Sequence, residues 1–108
     1  MARREIKRVT DADGKTYGFY FGTNAICEIQ KETGLGIDRV MAKLARPKDA
    51  GDDWQLDFPL LRTVLKHCVV EPDGGISDTE MGYLVDDVGL EALTEVLSGG
   101  KEGSANPT

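Results

Sequence analysis

Residues 17–44 read YGFYFGTNAICEIQKETGLGIDRVMAKL, and the hydrophobic period changes partway along this stretch. Tyr17, Phe19 and Phe21 alternate with their neighbours, which is the period-2 pattern of a strand with one apolar face. From Thr23 onward the period is helical. Thr23 can cap a helix over 24–33 that turns Ala25, Ile26 and Ile29 inward, and Gly34 can end it in the left-handed conformation that glycine tolerates. Ile37, Val40, Met41 and Leu44 then fall at i, i+3, i+4 and i+7, one stripe of a second helix that Pro47 stops.

Upstream, EIKRVT (5–10) is a second extended segment, joined to TYGFYF (16–21) through Asp11-Ala12-Asp13-Gly14-Lys15. Asp13-Gly14 is a turn signal, so the two segments form a hairpin. A hairpin alone is marginal in water, and its aromatic face needs helices to cover it. Downstream, the polar run 48–55 is a loop. Asp57 caps a third helix with Pro59 in its first turn and with Leu61, Val64, Leu65 and Cys68 inward. Ser77 and Glu80 make a capping box for a fourth helix that buries Met81, Leu84, Val85 and Val88 and ends at Gly89. A short fifth helix over 90–97 carries Leu90, Leu93, Val96 and Leu97. The sequence therefore predicts an α+β, mainly helical fold: an N-terminal β-hairpin followed by four or five short amphipathic helices. One domain is expected over 1–98, and the polar, glycine-containing segment 99–108 is expected to be a disordered tail.

The chain has 108 residues, 40% of them hydrophobic, enough for one modest core. No apolar run approaches the roughly 18 to 20 residues that cross a bilayer, and MARREIKRVT lacks the apolar stretch of a secretory signal, so a cytoplasmic protein with no membrane partner is expected. Cys27 and Cys68 form neither a CxxC pair nor a disulfide framework, and reduced thiols are expected. The net charge of -6 argues against nucleic acid as a partner, because phosphate contacts need clustered Lys and Arg. The charge is uneven: residues 1–48 hold ten basic and six acidic residues, net +4, while 49–108 hold three and thirteen, net -10. Such asymmetry can steer a charged partner or bring copies of the chain head to tail, within a screening length of about 8 Å at physiological salt, but solvated helix faces that differ in sign are the preferred reading.

Groups for catalysis are sparse. His67 is the single histidine, and its neighbour Cys68 points about 100° away on a helix, so the two do not face one another. Cys68 reads as a small buried hydrophobe. Asp52-Asp53 and Asp86-Asp87 are adjacent carboxylates, which suits solvated surface better than an acid/base pair across a cleft. Gly34-Leu35-Gly36 and Gly74-Gly75 lack the spacing, the lysine and the hydroxyl of phosphate loops. The segment 69–80, VVEPDGGISDTE, has the cadence of a calcium loop, with Gly74 sixth and Glu80 twelfth, but Val69 stands where the first ligand belongs and Pro72 stiffens the backbone. Ser77 and Glu80 as a helix cap is the preferred reading. No enzyme, cofactor or metal site is expected. Trp54, in the acidic loop 48–55, either folds back over the core or anchors a partner; the first is favoured, since a small domain needs its apolar contacts.

The stretch 17–44 resembles the opening of small tail assembly chaperones of long-tailed phages, the group found in gene transfer agents and related prophages of alphaproteobacteria. There a strand enters a helix through a Phe-Gly turn; here the matching residues are Phe21, Gly22, Ala25, Ile26, Glu28, Ile29 and Gly34. LLRTVLKHCVV (60–70) and ISDTEMGYLVDDVGLEAL (76–93) are similar to the family's second half, and the resemblance covers about residues 5–97. Gln30 departs from it, standing where an acidic residue is expected. The resemblance implies a non-enzymatic role in which the chain holds the tape-measure protein soluble during tail morphogenesis, with the tail tube protein as a second candidate partner. Members of the family also carry the label of tail tube protein, so a structural tail component is the alternative, followed by a degenerate EF-hand-like regulatory module or a thiol enzyme. For a partner helix, the second helix and the loop after it are the first place to look: Met41 offers an adaptable apolar contact, Arg39, Lys43 and Arg46 lie close by, and Trp54 can anchor.

Overall fold

The computed structural model describes the backbone of residues 6–105 and the side chains of residues 6–97. In chain order the elements are β1 (Lys7–Thr10), β2 (Thr16–Phe19), α1 (Thr23–Thr33), α2 (Ile37–Leu44), α3 (Phe58–Cys68), β3 (Val69–Glu71), α4 (Asp78–Val88) and α5 (Leu90–Ala105). The fold is α+β and mainly helical, as its sequence pattern implies.

The hairpin is set by Asp11, whose carboxylate accepts from the backbone N–H groups of Asp13 and Lys15, while Gly14 supplies the positive φ (89°) of the turn. The sheet, however, has three strands in the order β1-β2-β3, all antiparallel. The third strand follows α3 without a connecting residue, and its three residues are too few to carry a period of their own. It exists because β2 offers a free edge when α3 delivers Val69 to it. Tyr20 N–H bonds the Cys68 carbonyl at 2.8 Å and continues this pairing past the end of β2.

Gly22 sits at the N-cap of α1, one position before the expected Thr23, and makes no side-chain cap; Thr23 is the first helical residue. The displacement has a steric cause. The Tyr20 ring lies over Gly22, where a Cβ would meet ring carbon at 2.2 Å, so the chain turns from strand to helix at the residue without a side chain. Gly34 closes α1 at φ 74°, and Asp57 caps α3 by accepting from Leu60 N–H at 3.1 Å. Ser77 accepts from Glu80 N–H while the Glu80 carboxylate accepts from Ser77 N–H, each at 3.1 Å, so both halves of the capping box are formed. α5 continues eight residues beyond its expected end at Leu97, to Ala105. Helix propagation is cheap once a first turn is anchored, as Leu93, Val96 and Leu97 anchor this one. Of the expected tail, residues 99–105 thus belong to α5 by their backbone, and 106–108 lie outside the described residues.

α3 is the central helix: Leu60, Leu61, Val64, Leu65 and Cys68 are all buried, and it packs on α1, α2, α4 and β3. Phe19 from the sheet, Ile29 from α1, Val40 from α2, Met81 from α4 and Leu93 from α5 are fully enclosed around it. The core side chains described are apolar throughout. Among the described residues no helix is long and apolar enough to cross a membrane.

Candidate functional site

α2 is short and has two unlike sides. Ile37, Met41 and Leu44 pack against the core and Val40 is buried in it, so Met41 lies partly buried on the stripe its spacing predicts, with only part of its side chain left for a partner. The turn of 3.6 residues puts Arg39 and Lys43 on the opposite, exposed side; Arg46, also exposed, lies beyond Ala45, whose extended backbone ends the helix.

The loop after α2 folds back onto Arg46. Its guanidinium donates to the Gly51 carbonyl at 3.2 Å and lies 5.7 Å from the centroid of the Trp54 ring, a cation–π arrangement. Trp54 N–H bonds the same carbonyl at 3.2 Å. Trp54 is therefore half-buried against Arg46 and is not among the side chains packed on the core; Leu56, two residues later, takes that place. The favoured reading of Trp54 as a core lid is corrected, for a physical reason: a guanidinium plane next to an indole satisfies the loop without drawing the ring into the interior.

Lys43 also borders a groove of about 340 Å³ between α1, α2 and the start of α3, with Leu35 and Leu60 contributing apolar wall and Asp57 a carboxylate. Pro59 in the first turn of α3 lines this groove and, on its other side, a second groove between α3 and α4. Of the five predicted contact residues, then, the structure joins Arg46 to Trp54, sets Arg39 and Lys43 together on the exposed side of α2, and packs Met41 against the core. The first turn of α3, including Phe58 with 57% of its surface exposed, is the part of this region that sequence reading passed over. The signal was available in Phe58-Pro59, an aromatic residue at a helix start whose stripe begins only at Leu60.

A second group of titratable side chains ties helices together. His67 Nε2 lies 2.7 Å from Glu32 Oε1, and Lys66 bridges Glu32 (3.4 Å) and Asp78 (3.0 Å), tying α1, α3 and α4 together. The His67 contact, helped by Lys66, holds the Glu32 carboxyl below its ordinary range, and Lys66 does the same to Asp78. Cys68 is fully enclosed, and burial pushes its thiol up to about 12, which leaves it protonated at neutral pH. Cys27 is exposed. In the calcium-like segment 69–80, the first three residues are strand β3, Glu71 is held by Arg8, and the Glu80 carboxylate is occupied at the cap of α4. Those groups do not converge on a common point as ligands must. Among the described residues, no three His, Cys, Asp or Glu side chains are grouped to hold a metal.

No family model matches the chain, and no curated protein and no solved structure matches it.

Proposed function

We propose that this chain is a non-enzymatic tail assembly chaperone of a phage or gene transfer agent, acting in the cytoplasm of the host and binding a helical segment of the tape-measure protein while the tail is built. The observation that carries the reading to a surface is the exposed side of α2 with Arg39 and Lys43, where Lys43 borders the groove that Leu35 and Leu60 share with Glu32 and Asp57, followed by the loop in which Arg46 meets Trp54. Exposed cations on α2 beside a partly apolar groove suit an amphipathic helix that carries acidic residues next to its apolar stripe. The family resemblance of 17–44 and 60–93 supplies the partner class.

Coexpression with a tape-measure gene adjacent to this one tests it. Soluble yield of the tape-measure protein should rise, the two should be recovered together, and Arg39→Glu with Lys43→Glu should reduce the recovered partner several-fold while leaving the melting curve of this chain in place. Unchanged yield and no co-recovery would refute the chaperone reading. If the purified chain instead polymerises alone into tubes of uniform diameter, the tail tube alternative takes its place.

A further inference from the structure

On the other side of Pro59, α3 and α4 leave a groove of about 250 Å³ between them. The two helices run antiparallel, since Lys66 meets Asp78 at one end while Pro59 and Val85 share this groove at the other. Its walls are Phe58, Pro59, Leu61 and Val85, so it is mainly apolar, and Phe58 stands 57% exposed at its edge. Arg62 lies on the α3 rim and Asp86 on the α4 rim. Among the described residues neither has an ion-pair partner.

Gly82, midway along α4, lines the groove, and the fold does not ask for a glycine there. Its φ is not positive, and a Cβ on it would meet nothing within 4 Å. Glycine is among the poorest helix formers, so this position weakens α4 without any return from internal packing. What the missing side chain does provide is bare helix backbone open to close approach.

We infer that this groove is the interface of a two-fold homodimer, with a second copy of the chain as its occupant. A two-fold contact must be self-complementary, and this patch is: an apolar centre with one cation on one rim and one anion on the other. An axis running along the groove sets the α3 rim of each copy against the α4 rim of the other. Arg62 then meets the partner's Asp86 and Asp86 meets the partner's Arg62, while each Phe58 is covered by the facing apolar wall. The head-to-tail arrangement suggested by the uneven charge fits less well. It would seat the basic side of α2, with Arg39 and Lys43, over Phe58 and Val85, burying cations against apolar surface without enough acceptors. The dimer uses none of Arg39, Lys43, Arg46 or Trp54, so it is argued independently of the chaperone reading, although the two grooves share Pro59.

Sedimentation velocity on the full chain, from micromolar to millimolar concentration, should show a monomer–dimer equilibrium. Arg62→Asp and Asp86→Arg each place like charges together twice in the dimer and should weaken it about a hundredfold or more. An equimolar mixture of these two variants should dimerise again, because both rim pairs are then opposite in sign, and so should the double variant. Gly82→Leu should abolish the dimer by filling the groove while its melting temperature stays at or above that of the unaltered chain. Persistent monomer at every concentration overturns the inference, as does a dimer indifferent to the charge reversals or a mixture that fails to reassociate. A monomer that instead takes an amphipathic helical peptide in this groove, seen as amide shifts at Gly82 and Val85, overturns it as well.

Discussion

Gly18 shows how much can rest on an absent side chain. It lies in the central strand with Arg8 opposite on β1 and Glu71 opposite on β3. The Arg8 guanidinium reaches over it to form a two-pronged pair with Glu71, Nε to Oε1 at 3.0 Å and Nη2 to Oε2 at 3.1 Å. A Cβ on Gly18 would stand 2.6 Å from Glu71 Oε1 and 2.8 Å from Ile6 Cγ2. Gly18→Val should therefore destabilise the chain by about 1–3 kcal/mol, although valine is the better strand former. Arg8→Ala removes only a half-exposed, solvent-screened ion pair and should cost less than Gly18→Val. Urea denaturation of both variants checks this, and equal losses would mean that the pair, not the space above Gly18, is what matters. The cysteines give a second residue-level test. Cys27 is exposed and Cys68 is enclosed with its thiol pushed up to about 12, so a thiol reagent should label one cysteine promptly and the second only on unfolding. Prompt labelling of Cys68 would reopen the thiol-enzyme alternative.

At the scale of elements, the starts and stops of helices carry the argument. The capping box at α4 is fully formed, and Ser77→Ala should cost about 1 kcal/mol, read as a lowered melting temperature. Because the same Glu80 carboxylate is occupied there and Val69–Glu71 are paired as β3, millimolar calcium should leave the melting temperature unchanged. A calcium-dependent rise that disappears in Glu80→Gln would restore the regulatory-module alternative. These boundaries were legible in the sequence because a cap is a local device, a side chain bonding a backbone group three residues away. The exception, Gly22 in place of Thr23, is not local to the helix: it depends on where the Tyr20 ring comes to lie.

At the scale of the whole molecule, Glu32, Lys66, His67 and Asp78 join three helices at the surface. The carboxyls of Glu32 and Asp78 titrate below their ordinary range in the folded chain, so their contribution is complete above that range and is lost as acid protonates them. The melting temperature should fall as pH drops below about 4. Lys66 is raised, and its share should persist until pH climbs past about 10. Glu32→Gln, measured by thermal melts across pH, should flatten part of the acid slope; an unchanged slope would show that the cluster does not couple the helices. All four residues are separated from one another in the sequence except Lys66 and His67, and no spacing rule announces the group.

Legible in the chain alone is whatever repeats within a few residues: the period of Tyr17 and Phe19, the stripes of α1 to α4 apart from Ile26, which is half-buried and does not join the core, the turn at Gly14, the caps at Asp57 and Ser77, and the stops at Gly34 and Gly89. Each depends on a single helical turn or hairpin, whose geometry is the same in any surroundings. The third strand, the Arg8–Glu71 bond across Gly18, the approach of Arg46 to Trp54 and the two grooves that diverge at Pro59 arise only in the packed molecule. These join residues far apart in the chain, or depend on how much of a side chain its neighbours leave uncovered. β3 needed an open edge on β2, and Phe58 needed to lie where α3 and α4 part, and both conditions arise only when the helices have packed around α3.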